Sequence, residues 1–304
     1  MGSQAGRLDV AVVGAGRVGP VLGAAMRAAG HRITGVAART RGAAERVEAL
    51  LPDVPWIEPA EAFAADLVLL AVPDDVLGPL VADLAPHVRP GQLVVHTCGR
   101  HGTGVLDPAA ARGALPLALH PAMTFTGTSL DLQRLLGAAV AVTSSAVLAP
   151  VADALVREWG CTPVGVAEGD RALYHASLAH GSNHLVTLVA QALDAARAAV
   201  GEDAGRVLRP LLQAALDNAL DRGDDALTGP VARGDAGTVA THLGVLVAHD
   251  PGTAATYAQL AGAAADRAQA SGRLPDAPAE AVRAAIETAT STAARPAPPA
   301  PGEP

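Results

Sequence analysis

Short apolar runs recur along the first half of the chain at the spacing of a sheet whose strands are separated by helices. Leu8–Val13, Arg32–Ala38, Asp66–Val72, Gln92–His96, Leu115–Leu119 and Ala138–Thr143 are too short for helices and are bounded by turn-forming residues. Helical periods fill the gaps between them, which predicts an α/β domain with a mostly parallel, doubly wound sheet. After Val164 the period changes to long helical repeats over Asp170–Val200, Asp203–Asp221, Thr238–Ala248, Thr253–Ser271 and Ala277–Ser291. The boundaries expected from this pattern are 7–163 for the sheet domain, 164–292 for an all-α domain and 293–304 for a disordered tail of Pro and Ala.

Composition narrows what such a chain can do. A formal net charge of −8 over 304 residues gives no electrostatic footprint for nucleic acid or an anionic membrane, so a small-molecule partner is expected. The longest uncharged window, Leu135–Ala152, is broken by Gly137, Thr143, Ser144, Ser145 and Pro150 and reads as strand, turn and helix start rather than a membrane span. Cys98 and Cys161 have neither disulfide-framework nor metal-ligand spacing, and no metal site is expected. The short polar stretch Met1–Arg7 runs straight into the first strand without a cleavable apolar region, which makes a reducing, cytoplasmic location the expectation. The basic residues are all arginine, which excludes Schiff-base and lysine acid–base chemistry.

Gly14-Ala15-Gly16-Arg17-Val18-Gly19 lies between the first strand and a helical pattern reaching Ala29. Glycines there permit a tight turn and close backbone approach to a pyrophosphate, with a helix N-terminus facing the anion, so the first domain is expected to be of the Rossmann dinucleotide-binding type. The second strand runs into Ala38-Arg39-Thr40, where an NAD-binding protein usually carries an acidic residue; an arginine suits a 2′-phosphate, so NADP(H) is expected, with Arg41 and Arg46 able to share the role. Val72-Pro73-Asp74 and His96-Thr97-Cys98 leave their strands at the same edge, Val72, Pro73 and Thr97 shaping the crevice and Asp74 capping a helix. Cys98 reads as a packed residue rather than a nucleophile, having no base or oxyanion motif beside it.

His120 follows a strand at this edge, near the expected nicotinamide, where a proton donor for a developing alkoxide is needed; a loop-bonding histidine is the alternative. In the first long helix, Tyr174-His175 and Ser182-Asn183-His184 interrupt an Ala- and Leu-rich segment, and the spacing predicts that His175 and Ser182 share one face, with Asn183 a quarter turn away. Leu227-Thr228-Gly229-Pro230 running into Arg233-Gly234-Asp235 predicts two adjacent helix starts and a guanidinium, a setting for a substrate carboxylate, with Asp235 as an N-cap; an Arg233–Asp235 ion pair ordering the turn is the alternative.

Taken together, His96-Thr97, His120-Pro121, Tyr174-His175, Ser182-Asn183 and the Leu227–Asp235 segment make the chain resemble the two-domain Rossmann-like oxidoreductases whose helical half is domain of unknown function 2520. The resemblance runs from the glycine turn to about His242 and implies the architecture of the 6-phosphogluconate dehydrogenase-like superfamily. Some members look like an alternative ketopantoate reductase of pantothenate synthesis. It therefore implies an NADPH-dependent reductase of a small 2-oxo acid, with 2-dehydropantoate the first choice. Arg233 would hold the carboxylate, aided by Thr228 and Asp235; Ser182 and Asn183 would orient the oxygens, and His120 or His175 would supply the proton. Reduction of a deazaflavin or an imine, or an NADP-binding sensor without turnover, remains open at this stage. A homodimer is expected because the helical half has more apolar faces than one layer can bury.

Overall fold

A computed structural model describes residues 6–38 and 43–293, with side chains to Ser291. Arg39 and Thr40, and with them Arg41, lie outside the described residues, as does the tail from 294 onward. The chain divides into two compact units, Met1–Gly181 and Ser182–Pro304.

Among its described residues the first unit holds seven strands, β1 (Asp9–Val13), β2 (Arg32–Ala37), β3 (Leu67–Leu70), β4 (Leu93–His96), β5 (Leu115–Pro121), β6 (Ala139–Thr143) and β7 (Thr162–Gly165). Its helices are α1 (Gly19–Ala28), α2 (Ala44–Leu50), α3 (Asp74–Leu84), α4 (Asp107–Ala110), α5 (Leu130–Leu135), α6 (Ala149–Glu158) and α7 (Arg171–Leu178). The strands lie in the order β2-β1-β3-β4-β5-β6-β7, all parallel from β2 to β5, with β6 antiparallel to β5 and β7 parallel to β6. Alternation along the strands builds two cores. Val10, Val12, Leu67 and Leu69 face one layer with α1, α2, α5 and α6. Ala11, Val13, Val68 and Leu70 face the other, with Leu77 and Val81 of α3 and Ala109 of α4. Trp159, just after α6, is buried in the first of these layers, whereas Trp56 is half exposed.

Three differences from the sequence pattern have physical causes. The edge strand β7 was not expected: its exposed residues and its Pro163 and Gly165 mute the strand signal, and a proline is tolerated there because an edge has unpaired positions. His120 and Pro121 belong to β5 rather than following it, because antiparallel β6 continues the pairing through His120↔Ala141 and Pro121↔Val140. Asp74 begins α3 and makes no capping bond; Pro73 occupies the cap position.

The division between units falls at 181/182, later than the change of pattern at 163/164, because α7 is tied to the sheet. The buried Arg171 at its first position donates from Nη2 to Ala118 O at 2.7 Å and Ala141 O at 3.2 Å, and from Nε to Thr143 Oγ1 at 2.7 Å.

The second unit is helical: α8 (His184–Val200), α9 (Ala204–Arg222), α10 (Gly229–Ala232), α11 (Ala236–His249), α12 (Pro251–Ala270) and α13 (Asp276–Ala293). Its core is built largely of small residues, with Ala258, Ala261, Ala265 and Ala268 of α12 packed with Val239, Leu243, Ala279 and Val282. The single long helix expected over Asp170–Val200 is divided by a π-helical turn at Ala179–Asn183. A π turn adds a residue to the repeat, so the helical phase that placed His175 and Ser182 on one face does not carry through.

Gly19 lets α1 seat against β1, since a Cβ there would overlap Gly14 O and approach Val12 Cγ1 to 3.1 Å. Gly19→Ala should therefore lower stability by about 1–3 kcal/mol, the usual cost of overpacking. Gly16→Ala, with nothing within 4 Å of the added carbon, should not. Urea unfolding of the two variants against the parent checks this.

Candidate active site of the first unit

Parallel strands present their carboxyl ends on one edge, and the strand order reverses direction of growth between β1 and β3, which is where ligands of open α/β sheets bind. The glycine turn occupies that point. Gly14, at φ 110°, donates its N–H to Ala37 O at 2.8 Å, and a Cβ on it would overlap Ala71 O and lie 3.2 Å from Val72 Cγ1. Only glycine permits this conformation and this approach. Gly16 faces open space, as a backbone that must receive a pyrophosphate should. Ala15 is buried, and its carbonyl accepts from Arg46 Nη2 at 3.4 Å, while Arg46 Nε is buried without a partner among the described residues. Arg46 thus reaches the turn from α2, with a donor to spare.

Beside the turn, Arg17, Val18, Thr97, His120, Pro121, Met123 and Phe125 line a cavity of about 280 Å³ drawn wholly from the first unit. Thr97 is fixed by its N–H to Leu70 O at 3.2 Å. The loop after β5 is pinned by the buried Asp131 carboxylate, which accepts from the N–H groups of Thr126 at 2.8 Å and Gly127 at 2.7 Å. Gly127 in turn lies against Arg17 and Arg46, where a Cβ would come within 2.8 Å of Arg46 Cδ.

His120 Nδ1 is 3.0 Å from the Tyr174 hydroxyl, and the His120 and His175 rings stand edge to face with centroids 6.0 Å apart. Burial pushes His120 down to about 4, with smaller contributions from the Arg171 and His175 charges. The shift, to below the ordinary histidine range from which an acid role was expected, favours the neutral imidazole at neutral pH. His96 is also depressed to about 4, chiefly by burial; its Nε2–H donates to Gly102 O at 2.8 Å and its Nδ1 accepts from Cys98 N at 3.1 Å, a structural role. Burial, with Asp74 adding to it, raises the Cys98 thiol far above its usual range, which suits the packed residue expected.

Arg171, Tyr174 and Gly99 carry the arrangement and were not given roles from sequence. The signal was present in part: Arg171, Tyr174 and His175 are spaced i, i+3, i+4 and so share one face of α7.

The other candidates lie in the second unit. Ser182 and Asn183 are exposed at its start. Thr228 precedes α10 and lines a largely apolar cavity of about 440 Å³ with Gln191, His242 and Tyr257, among others. Arg233 is exposed and forms no ion pair with Asp235. Asp235 does cap α11, accepting from Thr238 N at 3.0 Å, and so already places a carboxylate at the helix terminus proposed for a substrate anion. Its partner terminus belongs to a helix of four residues, too short for an appreciable dipole. The Asp235 cap is the one expected from the sequence, and it stands at the helix start expected to face a substrate carboxylate. Among the described residues no cluster of three metal-ligating side chains occurs, and no helix is long and apolar enough to cross a membrane.

A glycine turn at the switch point of a doubly wound sheet, opening on a cavity with a histidine at its wall, defines a protein of the dinucleotide-binding class. Residues 1–121 match the model of the Rossmann-like domain and residues 138–264 that of DUF2520, a domain of unknown function, so the chain joins a Rossmann-like domain to a DUF2520 domain. The second match begins at β6, inside the sheet. No curated protein matches the sequence. Among solved structures, protein BF3122 of Bacteroides fragilis, described provisionally as an NADP oxidoreductase, is 21% identical with a TM-score of 0.70, over 85% of this chain and 98% of that one. Protein TM1727 of Thermotoga maritima is 18% identical with a TM-score of 0.63, over 86% and 99%. An imine reductase of Myxococcus stipitatus in complex with NADP+ is 18% identical with a TM-score of 0.56, over 93% and 94%. These likenesses show a shared fold.

Gly99 has no side chain where His175 and His120 meet: a Cβ would lie 2.5 Å from His175 Cδ2 and 3.1 Å from His120 Nε2. Gly99→Ala should displace the His175 ring and change the histidine chemical shifts of these two residues while the fold is kept. Imidazole NMR spectra identical to the parent's would contradict the packing.

Proposed function

We propose that the chain is an NADPH-dependent oxidoreductase that reduces a small 2-oxo acid, with 2-dehydropantoate the first substrate to test. The observation that carries this reading is the cavity that joins the glycine turn to His120 at the carboxyl edge of the sheet. The turn fits a dinucleotide on its own geometry: Gly16 is open to an approaching pyrophosphate, and Arg46 holds an unpartnered buried donor beside Ala15. Bound there, NADPH would supply hydride to the carbonyl carbon. Arg17, Val18 and Thr97 would wall the cavity, and the His120 imidazole would meet the oxygen on which charge develops. The preference for the 2′-phosphate rests on Arg39 in the sequence and on Arg46 reaching the turn, and the Myxococcus imine reductase of the same fold binds NADP+.

The chain is further proposed to act as a homodimer. α8 contributes no buried residue and α9 only Ala204, while Val186, Leu211 and Leu220 are exposed by 70%, 64% and 77%. Apolar faces of this length favour a self-complementary partner over water.

Loss of nicotinamide absorbance on mixing protein, NADPH and 2-dehydropantoate tests the reaction, with NADH, other 2-oxo acids and cyclic imines as comparisons. Turnover is expected with NADPH and the oxo acid, and Arg46→Ala should weaken NADPH binding about tenfold or more, the loss of one charge-assisted phosphate contact. Turnover of imines alone would replace the oxo-acid reading with an imine reductase. Light scattering should give twice the chain mass; a monomeric mass would dispose of the dimer.

A further inference from the structure

We propose that Tyr174 is the proton source for this reduction, passing its phenolic proton through the His120 ring to the substrate oxygen while the buried Arg171 guanidinium balances the tyrosinate that remains. The inference rests on reading the first-unit cavity as a carbonyl-reducing site and assigns the proton route within it.

The geometry of the three residues supports the assignment. Tyr174 OH is 3.0 Å from His120 Nδ1, so Nδ1 is engaged and Nε2 is the ring nitrogen left for a ligand. Charged and titratable groups around His120 come from several elements: Arg171, Tyr174 and His175 of α7, and Asp74 at the start of α3. Arg17 of the glycine turn lines the same cavity. Burial, Arg171 and His175 all disfavour a proton added to the ring, and only Asp74 opposes them. Imidazolium is then a minor form at neutrality and a poor source for the proton. Tyr174 is held above its ordinary value by burial, with Arg171 opposing, so its hydroxyl keeps its proton across the neutral range. A protonated phenol beside a neutral ring donates to Nδ1 and fixes the ring proton on Nε2.

Arg171 supplies the missing charge balance. It is 1% exposed, its Nε and Nη2 are bonded to Thr143, Ala118 and Ala141, and its Nη1 is buried with no partner. Among the described residues no carboxylate bonds to it or pairs with it; the Glu168 charge acts on it only at longer range, as does Tyr174. A buried cation with an unused donor is costly to keep unless charge appears opposite it. Tyr174 lies one helical turn further along the same face, and the Arg171 charge favours its ionised form.

The step balances. A bound reduced nicotinamide would supply hydride for the new C–H bond, the carbonyl π pair passing to oxygen. That oxygen takes the proton from His120 Nε2; the Tyr174 O–H bond breaks as the Nδ1–H bond forms. The imidazole stays neutral and changes tautomer, and the negative charge rests on the Tyr174 oxygen until water returns a proton.

Two experiments test the relay. Single-turnover reduction should be nearly independent of pH from about pH 6 to 9 in the parent, because the donor stays protonated throughout. Tyr174→Phe leaves imidazolium as the only acid, so its rate should fall about a hundredfold at neutrality and then a further tenfold per pH unit. Parallel pH profiles for parent and variant in an active enzyme would overturn the relay alone, since a purely structural tyrosine would cost the same factor at every pH. Silence with every carbonyl acceptor would overturn the reductase reading and the relay with it. The second experiment needs neither cofactor nor substrate. In Tyr257→Phe protein Tyr174 is the remaining tyrosine, and its ultraviolet ionisation midpoint should rise by about one unit or more when Arg171 is changed to Gln or, if that variant does not fold, to Met. An unchanged midpoint would remove Arg171 from the proposal.

Discussion

A single buried guanidinium organises the working half of this molecule. Arg171 joins α7 to the carbonyls of Ala118 in β5 and Ala141 in β6, at the place where the sheet reverses from parallel to antiparallel. A cation removed from water needs strong hydrogen bonds to remain there, and it finds three acceptors on two strands. The strand reversal and the helix that follows the sheet are thereby locked together. That lock presents Tyr174 and His175 to His120, and it explains why α7 belongs with the sheet although its sequence period is that of the helical half.

The glycine turn depends on absent side chains, the cluster around His120 on buried ones. Gly14 and Gly19 allow the first turn to approach Ala71 and α1 to sit on β1, and Gly99 leaves room for two imidazoles. Around these gaps the polar groups are strongly desolvated, which lowers His120 and His96 and raises Tyr174 and Cys98. The neutral forms of these four side chains are favoured, so the proposed reaction would move protons along bonded pairs, with Arg171 as the charged neighbour.

The sheet and the glycine turn were legible because hydrophobic alternation and glycine context are local signals. β7 was not, since an exposed edge strand with a proline and a glycine lacks that alternation. The phase of the first long helix failed at Ala179–Asn183, as a π turn has no reliable sequence mark. His120 could be placed at the sheet edge from its strand, but its protonation could not, because desolvation depends on neighbours distant in sequence, α7 above all. Asp235 was recognised as a cap; that capping uses up the helix terminus offered to a substrate follows only from its bond to Thr238.

The alanine-built core of the helical unit has a further consequence, in how the protein can be observed. Both tryptophans and both phenylalanines lie in the first unit, whereas Tyr257 is the one Trp, Tyr or Phe of the second. Its helices cohere mostly through close approach of small side chains, with one edge-to-face ring pair between His242 and Tyr257. Tryptophan emission, with Trp159 sealed beneath the sheet, therefore reports on one half of the molecule, and the other half can melt almost silently unless its backbone is watched.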